Sequence, residues 1–182
     1  MTRLVIALSG TDHHPFPRLV DWVDAAAARH PDVRFLVQHG ATTPAPTLAD
    51  GVDYLTRDEL TRLLGEADVA ICHGGPGTIM DARAAGHLPL CVPRDPALGE
   101  HVDGHQQRFA AAVGEAGVVR HVTSAESFHE TLDQALLTTP SAVAAGLVTA
   151  ARDRARADVA AELDQLMTLR PPRLARRRRS VR

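Results

Sequence analysis

Residues 73–78, His-Gly-Gly-Pro-Gly-Thr, place glycines at 74, 75 and 77 between the apolar run Asp68–Cys72 and an alanine-rich stretch ending at Gly86. A buried strand, a tight glycine turn and a helix are implied. In an open parallel sheet, ligands bind beyond the carboxyl ends of the strands. The missing side chains at Gly74, Gly75 and Gly77 let backbone approach a ligand closely. The amides of Gly77, Thr78 and Ile79 then open the helix, where an anion is favoured. A diphosphate is the natural guest. Many α/β loops use glycine for geometry alone, so the turn by itself leaves phosphate binding and simple turn-making equally open. Its spacing is not that of the dinucleotide fingerprint.

Other residues with chemical potential flank this turn. Thr11, His13 and His14 stand in a polar loop, Ser9–Pro15, and Arg94 stands in a loop after Leu88–Val92. Arg94 either neutralises diphosphate charge or is an ordinary loop arginine. The histidines invite a metal or general-base reading, but no His/Cys/Asp spacing here is that of a known metal site. His73 reads as a turn residue bonding to backbone, and His13 or His14 as a catalytic candidate for handling a proton. Thr78 and Asp81 have capping-box spacing.

The elements that must position these residues alternate along the chain. Strands are expected at 3–8, 33–38, 52–55, 68–72, 88–92 and 118–122. Helices are expected at 17–29, from the capping-box sequence Thr56-Arg57-Asp58-Glu59 onward, from the glycine turn to Gly86, and at 104–116 and 124–137. This alternation implies an α/β fold with a mainly parallel, Rossmann-like sheet covered on both faces. Residues 1–138 form one domain. Pro140 precedes a long alanine-rich helix within 139–169, and Pro171-Pro172 opens an Arg-rich, disordered segment, 170–182.

With 182 residues and 45% apolar content, the chain is long enough to bury one ordinary core. All the basic residues are arginine, and seven of them fall in 170–182 with no acid, so the body is acidic and the tail basic. An acidic body argues against nucleic-acid binding. Cys72 and Cys91 lie in apolar runs and read as free, buried thiols. No secretory leader and no apolar run of spanning length is seen, so a cytoplasmic protein is expected.

The segments Ala67–Thr78, Ala84–Arg94 and Glu100–Gln107 together resemble the C-terminal half of glycosyltransferase family 28. The similarity is greatest to stand-alone catalytic subunits of two-part N-acetylglucosamine and exopolysaccharide transferases, whose first loop matches Gly10–Phe16. It covers roughly residues 3–122, in order and spacing. The resemblance implies a GT-B half-domain with an extra C-terminal helix. It implies that Asp81 holds the nucleotide ribose, against the alternative of helix capping. Gln106 and Gln107 would contact the donor sugar, since carboxamides both donate to and accept from hydroxyls. Glu100, Asp103 and His105 are further candidates, and Thr11 matches a second phosphate-facing turn. The related enzymes work without metal, so no cofactor is expected and the UDP-sugar is a substrate.

The implied reaction is inverting transfer of a hexosamine or hexose to a lipid-linked acceptor. The acceptor half would be a separate membrane-anchored subunit. The helix within 139–169 would dock on that partner or pack on its own domain. The basic tail would meet anionic lipid at the inner face of the membrane or stay solvated. The alternative function is a non-catalytic nucleotide-sugar-binding scaffold.

Overall fold

The computed structural model describes residues 2–138. The segments 139–169 and 170–182 lie outside the described residues, and with them the expected helix and tail. Six strands form one parallel sheet: β1 (Arg3–Leu8), β2 (Val33–Gln38), β3 (Asp50–Val52), β4 (Val69–His73), β5 (Leu90–Val92) and β6 (Arg120–His121). Their order across the sheet is β3-β2-β1-β4-β5-β6, all neighbours parallel. The helices are α1 (Pro17–Arg29), α2 (Arg57–Glu66), α3 (Pro76–Ala84), α4 (His105–Glu115) and α5 (Ala125–Leu137). The α/β, Rossmann-like expectation is met.

Strand alternation explains the two cores. In β1, Val5 and Ala7 face one side with Leu19, Val23, Phe128 and Leu132 of α1 and α5. Leu4, Ile6 and Leu8 face the other, with Leu63, Leu64, Ile79, Ala82 and Ala110 of α2, α3 and α4. A strand buried on both faces reads as a continuous apolar run, as RLVIAL does. Cys72 and Cys91 are opposed across β4 and β5, buried and unpaired. Burial pushes the Cys72 thiol well up and that of Cys91 to about 12, which leaves both unreactive.

The third strand sits earlier than expected, at Asp50–Val52 rather than 52–55. Its partner β2 ends at Gln38, and the chain turns away at Gly40, whose φ is 59°. The ladder therefore stops after the Gly40 amide meets the Asp53 carbonyl. The entry to β3 is fixed by Asp24 of α1. Its carboxylate accepts from the amides of Thr47, Leu48 and Ala49 and from the Thr47 hydroxyl. Burial alone would raise its pKa, but these bonds outweigh that and lower it.

Candidate functional site

Strand order reverses between β1 and β4, which send their chains to opposite faces of the sheet. Beyond their carboxyl ends opens a cleft of about 510 Å³, lined by the β1–α1 loop, the β4–α3 turn and Gln106 at the start of α4. Such a reversal is where open α/β sheets bind ligands.

The turn into α3 is built for close approach. Its N-cap is Gly75, with no side-chain cap, and Pro76 opens the helix. The Ile79 amide is used, donating to the Gly75 carbonyl. That leaves the amides of Gly77 and Thr78 without an intrahelical acceptor. Thr78 is inside the first turn, so the capping box that its spacing with Asp81 suggested does not form. Asp81 lines the cleft, and its carboxylate pairs with Arg57 of α2 at 2.8 Å.

His73 organises this turn. Its Nδ1 accepts from the Gly75 amide at 3.1 Å, which puts the ring proton on Nε2, 3.2 Å from the Thr78 hydroxyl. Thr78 Oγ1 then accepts, and its own proton is free for a ligand. Burial, reinforced by the nearby Arg94 charge, lowers the His73 pKa to about 4, so the ring is neutral near pH 7. The glycines differ in purpose. A Cβ at Gly74 would lie 2.8 Å from Gln106 Cβ and 3.0 Å from its carbonyl, and one at Gly75 would strike the His73 ring. A Cβ at Gly77 would meet no atom within 4 Å. Gly77 lines the cleft, and nothing in the described chain demands a glycine there.

In the β1–α1 loop, Thr11 and Asp12 line the cleft. Asp12 Oδ1 accepts from the His14 amide at 2.7 Å and lies 2.5 Å from His14 Nδ1. Oδ2 lies 3.3 Å from His101 Nε2. Burial would raise the Asp12 carboxyl, but the His14 bonds and the charge of Arg94 prevail and hold it at about 2. His13 is exposed on the outside of this loop.

Arg94 departs from the expectation of a direct diphosphate contact. It is 1% exposed and does not line the cleft. Its Nη2 donates to the Ser9 carbonyl at 2.8 Å, and its Nη1 donates to the carbonyls of His14 and Glu100 at 2.7 and 2.9 Å. The guanidinium lies over the Phe16 ring, 4.8 Å from its centroid. It ties two loops together. Glu100 is likewise buried away from the cleft, taking both ends of the Arg18 guanidinium at 3.0 and 2.7 Å and the Asp95 amide at 2.8 Å.

Of the residues singled out from sequence, Thr11, His73, Gly75, Gly77, Thr78, Asp81 and Gln106 meet around the cleft. Gly74 lies behind it, packed on Gln106. His105 is exposed, its ring engaged with Asp103, and Gln107 is half-buried; neither lines the cleft. Sequence reasoning missed Asp12, Gln38 and the leucines at 55 and 60, all of which do. For Asp12 the signal was present in the spacing Asp-x-His, which favours an Asx-type bond to the amide two residues on.

Residues 10–162 match the glycosyltransferase family 28 C-terminal domain. Among curated proteins, none matches. Among solved structures, the glycotransferase of kitacinnamycin is similar at 20% identity, with a TM-score of 0.64, over 86% of this chain and 40% of that one. CalG4, the calicheamicin glycosyltransferase, is similar at 16% identity, with a TM-score of 0.58, over 91% of this chain and 44% of that one. This chain thus spans less than half the length of either, and its fold is that of one GT-B half-domain. With the match extending over most of its residues, the chain belongs to the glycosyltransferase family 28 C-terminal domain family.

Proposed function

We propose that the cleft receives a nucleotide-sugar and that the chain is the donor-binding, catalytic subunit of a two-part inverting glycosyltransferase. The observation that carries this is the uncapped start of α3 in the cleft at the strand reversal. The amides of Gly77 and Thr78 and the Thr78 hydroxyl face the diphosphate. Leu55 and Leu60 offer an apolar wall to the base. Asp81 takes the ribose hydroxyls. Gln106 accepts from the Arg94 amide through Oε1 at 3.3 Å, which leaves its NH₂ group to donate to the sugar. Charge develops on the leaving diphosphate as the acceptor hydroxyl attacks the anomeric carbon. Donors fixed in advance at the helix start stabilise that charge most in the transition state.

The donor is a UDP-sugar carrying a hexosamine or hexose, and the acceptor is lipid-linked. A membrane-anchored partner supplies the acceptor half and the base. The protein works in the cytoplasm, and its Arg-rich tail contacts anionic lipid at the inner membrane face. Among the described residues no helix is long and apolar enough to cross a membrane. Thermal stabilisation against UDP-, GDP- and TDP-sugars tests the reading. A rise in melting temperature with one of the series is expected, and no rise with any of them ends it. The second reading, a non-catalytic nucleotide-sugar scaffold, draws on the cleft's only imidazole among the described residues being the neutral, engaged His73. Sugar transfer in a reconstituted complex that is lost in Asp81→Ala would exclude it.

A further inference from the structure

Asp81 of α3 lines the cleft, and its carboxylate has one partner among the described residues, Arg57 of α2. Arg57 Nη1 donates to Oδ2 at 2.8 Å, and Oδ1 receives no bond from the described residues. One oxygen is therefore fixed and the other is open to a ligand. The arginine is itself anchored. It is the first residue of α2, where Thr56 and Glu59 close a capping box, and its carbonyl accepts from the Thr61 hydroxyl at 2.9 Å. Leu55 and Leu60, on either side of it in sequence, line the cleft, whereas Arg57 does not. Stability does not account for the arginine. Its side chain is 73% exposed, and ion pairs this open to water contribute little. A cation in the first turn also opposes the helix dipole.

We propose that Arg57 is a positioning residue for ribose recognition, turning the Asp81 carboxylate so that Oδ1 accepts from a ribose hydroxyl of the nucleotide. This rests on the nucleotide-sugar reading and extends it to a residue that meets no ligand. A carboxylate offers two oxygens, and the bond from Arg57 uses one of them. An unpaired aspartate on a helix samples several rotamers, and only those aimed at the cleft can bind. Holding one oxygen removes that freedom before the ligand arrives, and such preorganisation strengthens binding by cutting its entropic cost. The pair also links α2 to α3, and with them the apolar wall of Leu55 and Leu60 to the ribose acceptor. Arginine suits the task because its planar guanidinium bonds a carboxylate in a fixed direction, which a rotating ammonium does not.

The test is calorimetry of the full chain with UDP, GDP and TDP, each beside its 2′,3′-dideoxy form. Charge effects act on both forms alike and cancel in the ratio of their affinities. Wild type is expected to prefer one natural form over its dideoxy form by about tenfold or more, the worth of a hydrogen bond to a charged group. Arg57→Gln should lower that preference to about threefold or less with a melting temperature near wild type. Arg57→Lys should restore part of it. In Asp81→Ala the preference should vanish, and adding Arg57→Gln should change it no further. Arg62→Gln, which removes an arginine of the same helix paired with Glu66, should keep the wild-type preference. A pair of purely structural use would instead lower the melting temperature and weaken both forms alike. The proposal is overturned by that result, by an unchanged preference in Arg57→Gln, or by no preference in wild type. A nucleotide that still binds in those cases leaves the donor reading standing. If none of the three nucleotides binds wild type, the donor reading falls and the proposal falls with it.

Discussion

His73 is buried as a neutral ring, and the unfolded chain protonates it first. Between about pH 6.5 and 4 the unfolded state binds the extra proton, so stability rises with pH across that window. The contribution is complete above 6.5 and is lost as pH falls towards 4, amounting to about 3 kcal/mol at most. Urea unfolding at pH 7 and pH 4.5 checks this: His73→Asn should flatten the difference. Asp12 acts in a lower window. Its contribution is complete above about 3.8 and lost as pH falls through about 2. Asp12→Asn should therefore leave the loss above pH 4 unchanged and reduce the one below it. The two glycines beside His73 separate fold from ligand. Gly74→Ala forces a methyl against Gln106 and should cost about 1–3 kcal/mol in chemical denaturation. Gly77→Ala meets open space and should leave stability within about 0.5 kcal/mol of wild type. If a diphosphate lies over that position, the same alanine weakens nucleotide binding about tenfold or more by calorimetry.

At the scale of elements, the two loops that frame the cleft are held together by one arginine. Arg94→Met would leave the carbonyls of Ser9, His14 and Glu100 without their donor. About 3 kcal/mol or more of stability should be lost, read by thermal unfolding. Arg94→Lys should recover little, since one ammonium cannot fork to carbonyls on both loops. The sequence carried the elements themselves well because both-faces burial leaves unbroken apolar runs, as in Arg3–Leu8 and Val69–His73. β3 was misplaced because Asp50-Gly-Val is a strand only through its pairing with β2, which no local pattern records. Arg94 was misread for a similar reason: a loop arginine and a buried tie look alike until the carbonyls of three distant residues converge on it. Gln106, by contrast, was recognised through the motif around it, although its burial under Gly74 could not be foreseen.

For the molecule as a whole, the strand–helix rhythm made the Rossmann-like sheet legible from sequence, whereas the GT-B half-domain was implied only by the resemblance of the segments around the glycine turn to a known family. The contact of Asp12 with His101 was not legible, because the two meet only where the loops after β1 and β5 come together. Less than half of each similar solved transferase is represented here. If the two-part reading proposed above holds, the isolated chain binds donor yet shows no transfer until an acceptor-binding half is added, checked by radiolabelled sugar incorporation with and without that half. Among the described residues the sheet ends in very short outer strands, Asp50–Val52 and Arg120–His121. Such rims give an incoming chain almost no ladder to extend. If a companion subunit is present, as proposed, it would then join through side chains and loops rather than by extending the sheet.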